Sequence, residues 1–220
     1  MARRRTAMDW PTTLRAAVPA GEIRLRPLTM RDEHRYLALR AANRDWLAPW
    51  DATTPEHPVT EVTPAGFREM ARTMARQARA GSHLPWLLWF RPAEQGDVVA
   101  DSEDAAERLI GQVTVGPIIG GSARSTSIGY WMDQGHAGRG LMTAAVALAC
   151  DHLFISRGLH RVEISIRPEN AASLRVVEKL GFRQEGLRER FLHIAGEWRD
   201  HHSFALTSEE IGDGLLRRLM

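Results

Sequence analysis

Apolar and polar positions alternate over residues 22–28 (EIRLRPL), the period of a half-buried strand, and the segment TMRDEHRYLALRAAN that follows reads as a helix. Thr29 is a natural N-cap there, with Asp32 three residues on as its capping-box partner. A second helix is predicted in TEVTPAGFREMARTMARQARAG, where Phe67, Met70 and Met74 fall at helical spacing and Gly81 supplies the C′ residue. The runs SHLPWLLWF, ERLIGQVTVGPII and RSTSIGYWMD are rich in β-branched and aromatic residues and are parted by Gly, Pro and Asp clusters. They predict three neighbouring antiparallel strands.

Beyond Met132 the pattern changes. The glycine turn GHAGRG opens an apolar helix from Leu141 to Phe154, and RVEISIRP then places Val162, Ile164 and Ile166 on one face of a strand. Strand, helix and strand in that order imply a parallel crossover. Asn170 starts a further helix that Gly181 stops, and FRQEGLRERFLHI and EWRDHHSFAL form a closing hairpin. The pattern describes one α/β domain over residues 21–220, a loosely held arm at 1–20 and a polar, low-order loop at 92–106.

Composition narrows the classes. At 220 residues, 44% hydrophobic and 25% charged, the chain fits a single globular domain. Its 29 basic residues are interspersed with 27 acidic ones for a net +2, so no basic stripe points to nucleic acid. Lys179 is the sole lysine. No apolar run has the length of a membrane span, and the basic start lacks the apolar stretch of a secretory signal. The single cysteine, Cys150, falls in the apolar helix; a core thiol suits a cytoplasmic setting. His201 and His202 point to opposite faces of their strand and no Cys/His set completes a site, so no metal is expected.

The chemistry concentrates in the glycine turn. A strand feeding such a turn and then a helix brings unpaired backbone N–H groups and the positive end of a helix dipole to one point, where an anion binds. Gly138 and Gly140 allow close approach to a phosphate, Arg139 adds charge and Thr143 a hydroxyl. The pattern is neither a dinucleotide G-x-G-x-x-G nor a G-x-x-x-x-G-K-[ST] loop.

Together with RPENAASLRVVEKLGF downstream, this turn resembles the GCN5-related N-acetyltransferase (GNAT) superfamily over residues 22–206. Four stretches carry a closer likeness to its RimJ/RimL type, the ribosomal-protein N-terminal acetyltransferases: NRDWLAPW, IGYWMDQGHAGRGLMTAAV, NAASLRVVEKLGF and IAGEWRDHHSFAL, the last nearest the RimJ side. The resemblance implies a GNAT fold: a mixed, largely antiparallel sheet of about seven strands, splayed between the fourth and fifth and flanked by about four helices. It implies acetyl-CoA as cosubstrate, its pyrophosphate held by Ala137, Gly138, Arg139, Gly140, Leu141, Met142 and Thr143, although Ala137 and Met142 depart from the family's Gln/Arg-x-x-Gly-x-Gly/Ala pattern. Its pantetheine would lie along Tyr130, Trp131 and Met132, with a backbone N–H near Met132 polarising the thioester carbonyl.

In the same way the resemblance nominates Ser173 as general acid and Asn170 as a pantetheine or water ligand, Val177 standing where many members carry a tyrosine. Leu192 occupies the position of a RimL-like active-site carboxylate, which leaves Glu185, Glu189 and Asp200 as candidates for the base. Trp46 and Trp50, with Asp200, are expected at the acceptor groove. The implied activity is acetyl transfer to the N-terminal α-amine of a protein, possible acceptors including ribosomal proteins, by a monomer or homodimer. A small-amine acetyltransferase and a non-catalytic acyl-CoA-binding module are the alternatives.

Overall fold

The structure, a computed structural model, describes residues 10–57, 62–93 and 107–219. The 92–106 loop therefore falls almost wholly outside the described residues, as does the start of the N-terminal arm. Eight strands form one mixed sheet in the order β1-β2-β3-β4-β5-β6-β8-β7. They are β1 (Leu14–Val18), β2 (Gly21–Pro27), β3 (Leu84–Pro92), β4 (Arg108–Val115), β5 (Ser125–Met132), β6 (Arg161–Ile166), β7 (Arg183–Ile194) and β8 (Glu197–Thr207). The first five are antiparallel neighbours, β5 and β6 are parallel, and β7–β8 is the closing hairpin.

The expectation for residues 1–20 is corrected at β1, the eighth strand. Leu14–Val18 pair antiparallel with Gly21–Leu25 around a tight turn, and buried Ala16 joins the main core. Trp10 packs on Trp86 with ring centroids 6.0 Å apart, and the Trp86 indole donates to the Thr12 carbonyl. Apolar contact with a buried tryptophan holds a segment whose own sequence shows little periodicity.

The helices are α1 (Glu33–Ala42), α2 (Arg44–Leu47), α3 (Pro64–Arg79), α4 (Leu141–Asp151), α5 (Ala171–Leu180) and α6 (Leu215–Leu219). The capping box before α1 is present, the Asp32 carboxylate accepting from both the Thr29 backbone N–H and its hydroxyl at 2.8 Å. Gly81 and Gly181 follow α3 and α5 with φ of +73° and +75°, the left-handed ending expected of them.

Two apolar layers cover the sheet. On one face α4 and α5 pack on Ile110, Val113, Ile128, Val162 and Ile164, with α4 buried on nearly every side. On the other, α1 and α3 bring Tyr36 and Phe67 against Leu87, Trp89 and Leu109. These layers fix β5 and β6, between which the sheet opens.

Candidate active site

Strands β5 and β6 pair only over Ser125–Ser127 with Arg161–Glu163 and then diverge. This is the splay expected between the fourth and fifth strands, counted without β1. The β4–β5 ladder decides which backbone groups face the gap. Gly116 N–H donates to Ser127 O and Asp133 N–H to Ile110 O. In an antiparallel pair, hydrogen-bonded and non-bonded residues alternate. Ile128, Tyr130 and Met132 therefore turn their N–H and C=O groups away from β4, into the splay, while those of Trp131 turn to Gln112.

Trp131 is thus corrected as a backbone ligand for pantetheine. Its side chain lies with α1 and α3, edge-on to Tyr36 at 5.7 Å and beneath the Arg40 guanidinium at 5.0 Å. At this point β4 carries Gly111, where a Cβ would meet the Trp131 carbonyl oxygen at 2.4 Å, so only glycine lets the two strands close here.

At the end of β5, Gly138 and Gly140 adopt φ of +77° and +76° and the chain enters α4 directly from Gly140. No side chain caps this helix, so the N–H groups of Leu141, Met142 and Thr143 are presented at its positive end. Added Cβ atoms at the two glycines would meet nothing within 4 Å. The glycines serve backbone conformation, and the turn stays open to a ligand. Arg139 is exposed beside it, its guanidinium 5.4 Å from the Phe90 ring centroid, and Thr143 is buried in the first turn. Ala137 precedes the turn in extended conformation, and the Leu141 and Met142 side chains enter the core.

Three polar side chains set the position of this turn. The Asp133 carboxylate accepts from Asn43 Nδ2 at 2.7 Å and lies 2.6 Å from His136 Nδ1. Asn43 Oδ1 in turn accepts from the Gln134 N–H at 2.8 Å. Burial raises the Asp133 pKa, but the bonds from His136 and Asn43 outweigh it and leave the carboxyl below its ordinary value. The end of α1 is thereby locked to the entrance of the glycine turn.

The splay opens into a cleft that runs through the sheet. On the α5 side lie Tyr130, Asn170 and Ser173. Asn170 is the N-cap of α5: its Oδ1 accepts from Ser173 N–H at 3.1 Å, which leaves Nδ2 available. The Ser173 hydroxyl has no hydrogen bond among the described residues. The Tyr130 hydroxyl donates a long bond, 3.5 Å, to the Ser173 carbonyl, and burial pushes its pKa well up. Val177 is buried beneath.

On the opposite face the lining comes from Trp50, Leu192 and His201. Trp46 does not line the cleft but spans its end, the indole donating to Met132 O at 3.1 Å. Trp50 is gripped by Arg167, whose guanidinium lies 5.3 Å from the ring centroid and donates to Pro49 O at 2.6 Å. An Ala52–Ile194 bridge and a Thr53 N–H to His193 O bond of 2.8 Å stitch this loop to β7. Of the two tryptophans, Trp50 lines the cleft and Trp46 is tied to the end of β5.

None of the three carboxylates considered as base reaches the cleft. Glu189 lies in an exposed bulge of β7, where the register shifts between Arg188 and Leu192. Asp200 is spent on that same bulge, its Oδ1 accepting the N–H of Arg190, a residue at φ +48°. This removes both Glu189 as a catalytic residue and Asp200 as an acceptor contact. Glu185 is bound by Arg161 and Arg183, which hold its carboxyl at about 2. Sequence reasoning missed His201, considered only for metal binding. It is buried, its Nδ1–H donates to Arg199 O at 3.0 Å, and burial lowers its pKa. The signal was the strand period, which separates His201 from His202 and puts it on the face of Leu192.

Among the described residues no group of three His, Cys, Asp or Glu side chains could hold a metal ion, and no helix is long and apolar enough to cross a membrane.

Comparison with known proteins agrees with this geometry. The chain is 32% identical to the probable N-acetyltransferase YjcK of Bacillus subtilis (strain 168), the match covering 86% of this chain and 95% of the relative. It is 28% identical to a ribosomal protein uS5-alanine N-acetyltransferase of Escherichia coli (strain K12), over 82% and 84% of the two chains. The solved structure of Mycobacterium smegmatis RimJ in complex with CoA-disulfide superposes with a TM-score of 0.81 at 35% identity, covering 96% of this chain and 94% of that one. The acetyltransferase (GNAT) domain family matches residues 22–183, from β2 to the start of β7. With that match and the splayed sheet, this chain belongs to the GNAT acetyltransferases.

Proposed function

We propose that this protein transfers the acetyl group of acetyl-CoA to the N-terminal α-amine of a protein, ribosomal proteins being the acceptor class its relatives suggest. The observation that carries the reading is the through-sheet cleft, with backbone groups of Tyr130 and Met132 turned into it from β5 and the uncapped amide cluster of α4 beside it. An extended pantetheine finds strand-like partners on β5, and a pyrophosphate finds the N–H groups of residues 141–143. The RimJ complex with CoA-disulfide, at 35% identity, supports the same ligand. The chain's departures at Ala137 and Met142 leave those amides in place.

Each residue then has a task. The Met132 N–H, turned into the splay, is the donor offered to a thioester carbonyl oxygen as charge develops on it. Asn170 holds the start of α5 by its Oδ1 and offers Nδ2 to the ligand. The Ser173 hydroxyl, free of internal bonds, supplies a proton to the departing thiolate. Trp46 and Trp50 wall the acceptor side. An α-amine, with a pKa near 7.7–8.0, is partly neutral near pH 7, whereas a lysine amine near 10.4 is almost wholly charged.

The test is release of free thiol from acetyl-CoA against Ala-, Ser- and Met-initiated peptides and a panel of small amines. Turnover with the peptides supports the reading. Turnover confined to small amines shifts the acceptor class, and acetyl-CoA binding without turnover of any amine overturns catalysis altogether.

A further inference from the structure

Among the described residues the cleft lining contains no carboxylate; its titratable side chains are Tyr130, Arg167 and His201. Burial pushes the Tyr130 phenol up so that it keeps its proton, and a guanidinium, already protonated, has no lone pair to accept another. We infer that His201 is the proton acceptor for the incoming amine, with Nε2 the accepting atom; this rests on the acetyl-transfer reading above. Because Nδ1–H is committed to the Arg199 carbonyl, the lone pair of the neutral ring is at Nε2, which has no partner among the described residues.

Sheet geometry puts this base on the correct side. In β8, Phe204 and Leu206 point into the core formed with α4 and α5, so His201, three and five residues away, points to the opposite face. Ser173 approaches from α5. Proton donor and proton acceptor therefore flank the splay from its two faces, as direct transfer between a thiol and an amine entering from opposite sides requires. The charges around the ring are mixed: Arg167 and Glu169 from the loop after β6, Arg188 opposite on β7, and Arg199 and Asp200 on β8. Phe191 packs edge-on against it at 5.7 Å.

The proton count closes. The ammonium of the acceptor gives one proton to His201 Nε2. The nitrogen lone pair then bonds the acetyl carbon as the carbon–sulfur bond breaks, and the thiolate takes the Ser173 proton. The proton shed by the acylated nitrogen restores Ser173, and the imidazolium returns its own to water, so one proton is released per turnover. A base of this kind also discriminates: burial holds His201 below its ordinary value, much further from a lysine amine near 10.4 than from an α-amine near 7.7–8.0.

The experiment compares wild type, His201→Gln and His201→Ala across pH 6 to 9 on the best acceptor of the panel, with His202→Gln, on the other face of β8, as control. The expected result is a loss of about 10-fold or more in kcat/KM near pH 7 that shrinks as the ammonium deprotonates unaided above about pH 8, with CoA affinity by calorimetry unchanged. Peptides with a free α-amine should be preferred to Nα-blocked lysine peptides. No loss, or a loss equal at every pH, overturns the inference. An arm independent of turnover and of the variants' folding is 15N NMR of wild-type His201. A neutral Nδ1–H tautomer titrating below 6.5 is expected; an Nε2–H tautomer, or an imidazolium at pH 7, overturns it. If only small amines are accepted, the protein-acceptor reading falls while the same comparison on that amine still decides the role of His201.

Discussion

The Trp46 indole donates to the main-chain carbonyl of Met132 at 3.1 Å, so the short helix α2 is fastened to β5, whose backbone groups at Tyr130 and Met132 face the splay. On the proposed reading the N–H of the same residue is the oxyanion donor, so α2 would position the end of β5 at which transfer takes place. Trp46→Phe keeps the ring and removes the bond. Loss of one such bond is worth about 1 kcal/mol, or roughly 2–4 °C in Tm for a chain of this size. The stronger effect should appear in steady-state kinetics as a several-fold lower kcat with CoA affinity preserved; unchanged kcat would show that the bond serves packing alone.

Ser173→Ala removes a hydroxyl with no internal hydrogen bond, so folding should be untouched. Thiol release should fall about 10-fold or more with CoA binding intact. A fully active variant would mean that the thiolate leaves unprotonated or takes its proton from water.

Gly140→Ala is a test of backbone conformation, since a Cβ there meets nothing within 4 Å while φ is +76°. The left-handed conformation costs a non-glycine residue about 1–2 kcal/mol. Relaxing it would rotate the first N–H groups of α4, so calorimetry should find CoA binding weakened about 10-fold with a small decrease in Tm. Unweakened binding would dissociate the turn from the pyrophosphate.

Asn43→Ala breaks the bridge between α1 and the glycine turn and leaves the Gln134 N–H and one Asp133 oxygen unpaired, at a cost of about 1–3 kcal/mol. Thermal melts should drop by several degrees, and acceptor and CoA KM should rise together. Independent responses of the two substrates would show the bridge does not couple their sites.

The bridge also has a pH signature. The folded pKa of Asp133 lies below its ordinary value, so its contribution is complete above the unfolded pKa near 3.8 and is lost as pH falls through the lower folded one. Asp133→Asn should flatten the acid limb of the melting-temperature profile below about pH 4 and leave the neutral region displaced only by the weakened bridge. An acid limb identical to wild type would exclude Asp133 as its source.

The sequence revealed those parts that short-range chemistry dictates. The Thr29–Asp32 capping box, the terminal glycines of α3 and α5, the GHAGRG turn and the meander of β3, β4 and β5 each follow from residues a few positions apart. What it hid was long-range. β1 is held by Trp10 and Trp86, 76 residues apart. Glu189 and Asp200 carry suitable chemistry, but a three-residue bulge turns one outward and consumes the other, and bulges leave little trace in a pattern of apolar residues. Backbone directions are equally hidden: the sequence alone groups Trp131 with Tyr130 and Met132, whereas the register with β4 turns its groups away from the splay. Leu192 lines the cleft, and the titratable side chain beside it there comes from the next strand as His201.

The divergence of β5 from β6 after three paired residues leaves two sheet edges in the interior of a folded domain. An outward edge invites any passing strand and with it aggregation, a hazard proteins blunt with charges or bulges. Here α4 and α5 pack on one face of the sheet and the Trp50 loop lies on the other, so the two edges line a cleft instead of the outer surface. The molecule therefore holds vacant ladder positions without the liability that exposed ones carry, and whichever slender chain fills them completes the sheet and raises the unfolding free energy by mass action. On the proposed reading, ligand recognition in this architecture would be the last step of assembling its own secondary structure.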